Sequence, residues 1–478
     1  MKSKTAPTLK AAATPILIVV IAFMACSCRN SENETTSVAE DAPPPNIVLL
    51  FSDDAGFADF SMNGNTLIKT PHIDSIAKNG VTFSQGYVSA AVCSPSRAGL
   101  LTGRYQQRFG HEYNLGENYS KTDPTLMGLP IGESTIADEL RKRGYRTGMV
   151  GKWHLGQEPQ FHPMARGFDE FFGMLQGGST YTAGKAKRVL RGREKCEFKE
   201  LPYLTDAFGD EAVQFIQKNK EIPFFLYLSF NAPHTPLQAR PDYLEEERKK
   251  FKTEKRAINA AMTRSLDDNV GKVLATLRRL GLAENTLVIF TNDNGGAMPY
   301  NASSNAPYSG TKGTFLEGGV HVPMVAQWPA TISPGTTYTH PVITLDFLPT
   351  MIAASGGNAA NKKSLDGVDL LPFLSNERKS PPHESLMWRL AFHGAIRKDN
   401  WKLIWFRDRQ PRLHDLSSDP AEQIDLSQAH PERTQELLSD FHAWEEGLAQ
   451  PLWRTHPRWE KHSLKRYDQS FVETLVRE

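Results

Sequence analysis

Four short stretches of the chain are almost wholly apolar: Pro45 to Phe51, Thr147 to Val150, Pro223 to Phe230 and Thr286 to Thr291. A strand with one wet face alternates apolar and polar residues. A run that is apolar throughout belongs to a strand covered on both sides, as in a parallel sheet. Helical periods lie between these runs. Thr70 to Ala77, Glu133 to Arg143 and Asp206 to Lys218 predict helices, and Thr344 opens another. Lys252 to Leu280 predicts a long amphipathic helix through Ala261, Leu266, Val270, Val273, Leu274 and Leu277, with Gly281 as its stop. Val81 to Phe83 reads as a short strand. Arg104 to Pro130 lacks a period and predicts a long loop, and Tyr181 to Glu200 is irregular and basic. From Glu384 the texture changes. Short alternating runs at Ser385 to Trp388, Gly394 to Arg397, Trp401 to Phe406 and Arg412 to Leu416 predict an antiparallel sheet, and Glu432 to Leu448 a helix. The fold class is therefore α/β: a large mixed, mostly parallel sheet sandwiched by helices over 45–380, then a small subdomain with an antiparallel sheet and a helix over 381–478.

The four apolar runs lead into polar clusters: Asp53-Asp54, Lys152 with His154, His234, and Asp293-Asn294. Strands of one sheet would open all four onto one edge, where α/β sheets bind ligands. Adjacent carboxylates repel unless a cation lies between them. Acidic and amide oxygens suit a hard ion, calcium or magnesium. Taken one at a time, each cluster has a plainer reading, as a solvated acidic loop, an exposed lysine or a core histidine.

At 478 residues, 39% hydrophobic and 23% charged, with a formal net charge of +1, the chain has an ordinary globular composition. It shows no basic arm and no zinc-finger spacing, so nothing points to nucleic acid. The first 28 residues read as an export signal. Lys2, Lys4 and Lys10 precede an apolar stretch from Ala11 to Ala25, shorter than the ~20 residues of a spanning helix. Cys26 and Cys28 follow small residues, as at a lipoprotein cleavage site, and residues 29–44 read as a tether. The protein is expected outside the cytoplasm: periplasmic, anchored to an outer membrane by lipid on Cys26 or Cys28, or secreted. The remaining cysteines, Cys93 and Cys196, are too few for a disulfide framework.

Cys93 stands where a loop turns into a helix, with Pro95 in the first turn and Arg97 one turn on. An anion or a nucleophile is expected at such a helix start. Cys93 to Gly103 resembles the sulfatase signature C-x-P-S-R-x-x-L-L-T-G, and Gly144 to His154 resembles the second signature of that family. The resemblance extends from about Pro45 into the C-terminal region. It implies that a maturation enzyme oxidises Cys93 to formylglycine, whose hydrate attacks sulfur with one hydroxyl and expels sulfate when the other loses its proton. It further implies that Asp53, Asp54, Asp293, Asn294 and the converted Cys93 hold calcium, with magnesium as the alternative. Arg97 and Lys152 would steady the diol, His154 would take the second-step proton, and His234 and Lys312 would hold the sulfate and protonate the leaving oxygen. Lys312 lies in the glycine-rich stretch Ser309 to Gly319. Many relatives carry arginine where His321 stands, which puts that residue's role in question.

The substrate expected is a sulfated saccharide, derived from a polysaccharide. Arg108, His111 and Glu112 are candidates for hydroxyl recognition, and the basic Tyr181 to Glu200 segment is a candidate rim for an anionic polymer. The alternatives are an aryl sulfatase or phosphoester hydrolase of the same superfamily, and a relative that binds sulfated glycans without cutting them.

Overall fold

The computed structural model describes residues 43–116, 120–182, 188–196, 203–359, 364–390 and 392–475. The expected signal, nearly all of the tether, Cys26 and Cys28 lie outside the described residues. No described helix is long and apolar enough to cross a membrane.

The strands come in chain order as β1 (Asn46–Ser52), β2 (Val81–Phe83), β3 (Gly86–Tyr87), β4 (Arg146–Lys152), β5 (Glu170–Met174) and β6 (Val189–Arg191). They continue as β7 (Glu194–Lys195), β8 (Phe224–Ser229), β9 (Thr286–Asn292), β10 (Met324–Gln327), β11 (Thr336–Tyr338) and β12 (Val342–Ile343). Ten of them form one sheet in the order β11-β2-β10-β9-β1-β8-β4-β5-β6-β7. Its middle, β9-β1-β8-β4-β5, is parallel throughout, and β10 and β6 flank it antiparallel. A second, antiparallel sheet follows: β13 (Ser385–Leu390), β14 (His393–Lys398), β15 (Trp401–Phe406) and β16 (Arg412–Asp415). The α/β class and both sheets read from the sequence are confirmed.

The unbroken apolar run of β1 has the expected cause. Ile47, Leu49 and Phe51 face one core layer and Val48 and Leu50 the other. The helices Leu204–Asn219 and Glu254–Arg279 supply the second layer with Phe215, Ile216, Leu266 and Val270. The first layer is filled by the helices Cys93–Thr102 and Phe347–Ala354 and by the small sheet, through Leu100, Met351, Trp388 and Ile396. Burying each such side chain stabilises the fold by roughly 1.5–3 kcal/mol. Lys402 of β15 donates to Glu317 Oε1 at 2.7 Å, an ion pair that fastens the small sheet to the glycine-rich stretch.

Several expectations need correction. The helix expected from Glu133 begins at Ile136, because Thr135 and Asp138 form a reciprocal capping box that fixes its start. The helices Pro241–Arg248 and Arg458–Leu475 were not foreseen. The basic Tyr181 to Glu200 stretch is not irregular throughout, since its described part folds as the hairpin β6-β7. Lys185, Lys187 and Lys199 of this stretch lie outside the described residues. Val189 pairs with Met174 at the carboxyl end of β5, and Arg191 with Phe172 further back, so the hairpin runs away from that edge. Arg191 is tied to Glu211 at 2.5 Å.

Asp346 anchors the approach to the helix Phe347–Ala354. Its carboxylate accepts from Ile343 N at 2.9 Å and Val368 N at 2.9 Å, and pairs with His383 Nε2 at 2.8 Å. Burial works against a charged His383, but the Asp346 charge outweighs it and raises the histidine's pKa. A raised pKa contributes stability that is complete below the unfolded value of about 6.5 and is lost as pH rises through the folded value. Asp346→Ala, which strands two buried amides, is expected to cost about 3 kcal/mol in urea unfolding, with the larger loss at pH 6 than at pH 8.5. Equal losses at both pH values would rule out the charged pair.

Candidate active site

The four polar clusters do converge. β9, β1, β8 and β4 are consecutive neighbours and parallel, so their carboxyl ends lie side by side. Asp53 and Asp54 follow β1, Asp293 and Asn294 follow β9, Lys152 ends β4, and His234 lies in the loop after β8. Gly151 permits the close join of β4 to β8. Its φ is +111°, and a side chain there would meet the Ser229 carbonyl oxygen at 1.8 Å. Cys93 is the first residue of the helix Cys93–Thr102, and Asn114 Oδ1 accepts the next amide, Ser94 N, at 2.8 Å.

A network of charged contacts encloses Cys93. Lys312 Nζ donates to Cys93 Sγ at 2.9 Å and to Asp54 Oδ1 at 2.6 Å. Lys152 Nζ donates to Asp53 Oδ2 at 2.6 Å. Arg97 donates through Nε at 3.1 Å and Nη2 at 2.8 Å to Asp293 Oδ2, and through Nη1 to Ser229 Oγ at 2.6 Å. Asp53 Oδ1 lies 3.7 Å from Cys93 Sγ, and His234 Nε2 lies 3.5 Å from Asp54 Oδ2.

Burial and charge decide the protonation states. Burial, with Asp293 nearby, pushes Asp53 up to about 8 despite Lys152 and Arg97. Burial would also raise Asp54 and Asp293, but Lys312 and His234 hold Asp54 below the usual carboxylate range, and Arg97 and Lys152 do the same for Asp293. The Cys93 thiol is pushed up to about 12 by burial first and Asp293 second. The helix start does not offset that burial, so the thiol is un-ionised at neutral pH and a poor nucleophile. Burial lowers His234 to about 4 and His154 well below its ordinary value, the cations nearby adding to the effect.

Both histidines have a defined tautomer. A carbonyl only accepts, so His234 Nδ1 donates to Thr235 O at 2.6 Å and its Nε2 carries the lone pair toward Asp54. His154 Nε2 donates to Leu115 O at 2.9 Å, which leaves a lone pair on Nδ1, a buried atom with no hydrogen-bond partner among the described residues. Among the described residues no hydrogen bond joins the His154 ring to Cys93, but Lys152, Arg97 and Lys312 lie near enough to add to burial in lowering its pKa. The expectation that Lys152 and His154 share a face of an extended segment fails, since His154 has φ +59°.

The donor set fits a hard cation. Three carboxylates and an amide meet at one place, and Asn294 Oδ1 is a buried acceptor without a hydrogen-bond partner among the described residues. Asp53, Asp54, Cys93 and His234 each offer a ligand atom within 4.8 Å of the others.

The hydroxyl-recognition candidates are committed elsewhere. Arg108 forks onto Asp366 at 2.7 and 2.8 Å, and Arg389 forks onto Glu112 at 2.7 and 3.1 Å. His111 is buried and donates to Ser94 Oγ at 2.7 Å, and Ser94 in turn donates to His154 O at 2.7 Å. His321 is packing: it contacts Glu317 Oε2 at 2.9 Å and stacks on Tyr308 at 4.5 Å.

A cavity of about 540 Å³ lies over the cluster, reached by Asp54, His234 and Lys312. Part of its wall comes from the helix Arg458–Leu475, through Arg458, Trp459 and Arg466. Sequence reasoning passed over these residues. The signal available was the apolar spacing Leu464, Tyr467, Phe471.

A family model described as sulfatase matches residues 45–357, and one described as N-sulphoglucosamine sulphohydrolase, C-terminal, matches residues 311–443. The N-acetylgalactosamine-6-sulfatase of Mus musculus is 38% identical over 356 residues, which are 70% of this chain and 67% of that protein. The crystal structure of Ps i-CgsB superposes with a TM-score of 0.81 at 34% identity, covering 90% of this chain and 99% of the other. Ps i-CgsB in complex with k-i-k-neocarrahexaose superposes with a TM-score of 0.79, at the same identity and coverage.

Proposed function

Because this chain belongs to the sulfatase family of the alkaline phosphatase superfamily and is a sulfuric ester hydrolase, we propose that it removes sulfate from a sulfated saccharide, an oligosaccharide derived from a polysaccharide. The observation that carries the reading is Lys312, in contact with both Cys93 and Asp54 at the edge of a cavity with cationic and aromatic walls. The relatives named above, one a hexosamine sulfatase and one solved with a carrageenan oligosaccharide, support a saccharide substrate.

Asp53, Asp54, Asp293 and Asn294 are assigned to hold calcium, or magnesium, and Cys93 is assigned as the site of conversion to formylglycine by a maturation enzyme. The converted side chain would supply the attacking oxygen and the ion would withdraw charge from the sulfate. Arg97 holds Asp293 in place and balances its charge, and Lys152 holds Asp53 through a hydrogen bond. Lys312 binds the sulfate oxygens. His234 is neutral at rest; an arriving anionic ester raises its proton affinity, so its Nε2 takes up a proton from solvent and then donates it to the leaving oxygen. His154 Nδ1, with its free lone pair, accepts the later proton, and the His111–Ser94 pair holds the His154 backbone in position.

Export to the periplasm, the outer membrane or the medium belongs to the same proposal, with lipid on Cys26 or Cys28. So does the division into a catalytic domain over 45–380 and a subdomain over 381–478. The test is sulfate release, measured by ion chromatography from sulfated saccharides and from aryl sulfates, with phosphate esters alongside. At least one saccharide is expected to exceed the best aryl sulfate in kcat/KM. An aryl sulfate that equals or beats every saccharide overturns the saccharide assignment.

A further inference from the structure

The helix Arg458–Leu475 does two things at the cleft. Its Tyr467 hydroxyl accepts Phe315 N at 2.5 Å, and Arg466 donates to the Lys312 carbonyl, so the helix grips the turn that presents Lys312. Gly313 makes the approach possible. Its φ is +87°, and a side chain there would stand 2.5 Å from Arg466 Nη1. The same helix also lines the cavity with Arg466 and with Trp459, which is 47% exposed.

We propose that this face of the helix is a second recognition site in the same cleft. Its occupant is the sugar unit next to the one that loses its sulfate, and that unit carries a negative charge of its own. The inference rests on the sulfated-saccharide reading and extends it to the shape of the substrate. Two observations favour this occupant. The first is charge: among the described residues, the lining carries Lys312, Arg458 and Arg466 against one carboxylate, Asp54, which Lys312 already neutralises. A sulfate or carboxylate entering there meets the Arg466 guanidinium, whose planar fork suits such multi-oxygen anions. The second is the exposed indole. The C–H face of a sugar ring is apolar with slightly positive hydrogens, which matches the negative face of an aromatic ring. Arg466 is preorganised for the task, since the Lys312 carbonyl and the Tyr300 ring, 5.5 Å from its guanidinium carbon, both constrain it.

The test compares Trp459→Ala and Trp459→Phe with the unaltered protein on matched substrates: sulfated galactan and sulfated hexosamine monosaccharides and their hexasaccharides. Trp459→Ala is expected to lower kcat/KM on a hexasaccharide about tenfold more than on the matching monosaccharide, through KM. Trp459→Phe, which keeps an aromatic face, is expected to recover most of that difference. Equal losses on both lengths, or no loss on either, overturn the second site while the hydrolase reading stands. Should the unaltered protein release sulfate from no saccharide, the hydrolysis reading fails and calorimetric binding decides the second site. A hexasaccharide held more tightly than its monosaccharide, and about tenfold less tightly by Trp459→Ala, supports it. Absence of hexasaccharide binding, or equal binding by the variant, overturns it.

Discussion

Asp293→Ala is expected to abolish turnover and to destabilise the protein, the largest combined effect of any single change at the site. Asp293 accepts from Arg97 at 2.8 and 3.1 Å, and both side chains are fully buried. Removing the carboxylate leaves a guanidinium in the interior facing Ser229 Oγ, the Lys152 carbonyl, the Phe51 ring and, at 3.8 Å, Asp53. Breaking a buried pair from one side costs about 3–5 kcal/mol. The same change deletes an anionic oxygen from the proposed calcium set. Urea unfolding and metal content by plasma mass spectrometry separate the two losses. Full metal content with normal turnover would defeat the assignment. Asp293→Asn keeps the shape without the charge, and is expected to retain more stability while still losing metal.

Cys93→Ala is expected to lower sulfate release by at least about four orders of magnitude, with little change in stability. Removing a nucleophile outright costs up to about six orders in enzymes that attack through a side chain. The thiol itself is un-ionised, at about 12, so the active form should be the converted side chain. Peptide mass spectrometry of active protein should show an aldehyde at position 93. A fully active preparation carrying only the thiol would exclude the formylglycine proposal.

The frame of this site was legible because each part has a local signature. The apolar runs identified β1, β8 and β9 without their neighbours, and doubly covered strands imply a parallel sheet. Polar residues at the ends of those strands then implied one shared edge. What was illegible depends on side-chain pairing across the fold. Nothing around Arg108 or Glu112 in the sequence reveals Asp366 or Arg389, their partners more than 250 positions away, so one half-buried and one buried ion pair looked like free recognition groups. Trp459, Arg466 and Tyr467 were missed for a related reason. Their helix is strongly polar, and its role becomes visible only once Phe315 and Lys312 stand opposite it. The basic stretch shows the limit of composition: its cationic residues set no direction, whereas the pairing of Val189 with Met174 sets one for the hairpin β6-β7.

The spacing of the catalytic strands along the chain bears on how the protein is made. Asp54 and Asp293 touch although 239 positions separate them. Synthesis is vectorial, so β1 leaves the ribosome long before β9 exists to cover its edge. Until β9 docks, that edge offers unpaired amides and carbonyls to any other strand, the hazard common to open sheets. The carboxylates meanwhile remain hydrated, and their desolvation falls on the late step that closes β9 against β1. Contacts of such high order form slowly, because loop closure must precede any reward from pairing. No N-terminal fragment can therefore hold a working share of the site, and the nascent chain is a passive, aggregation-prone intermediate until the last strand of its parallel middle, β9, arrives.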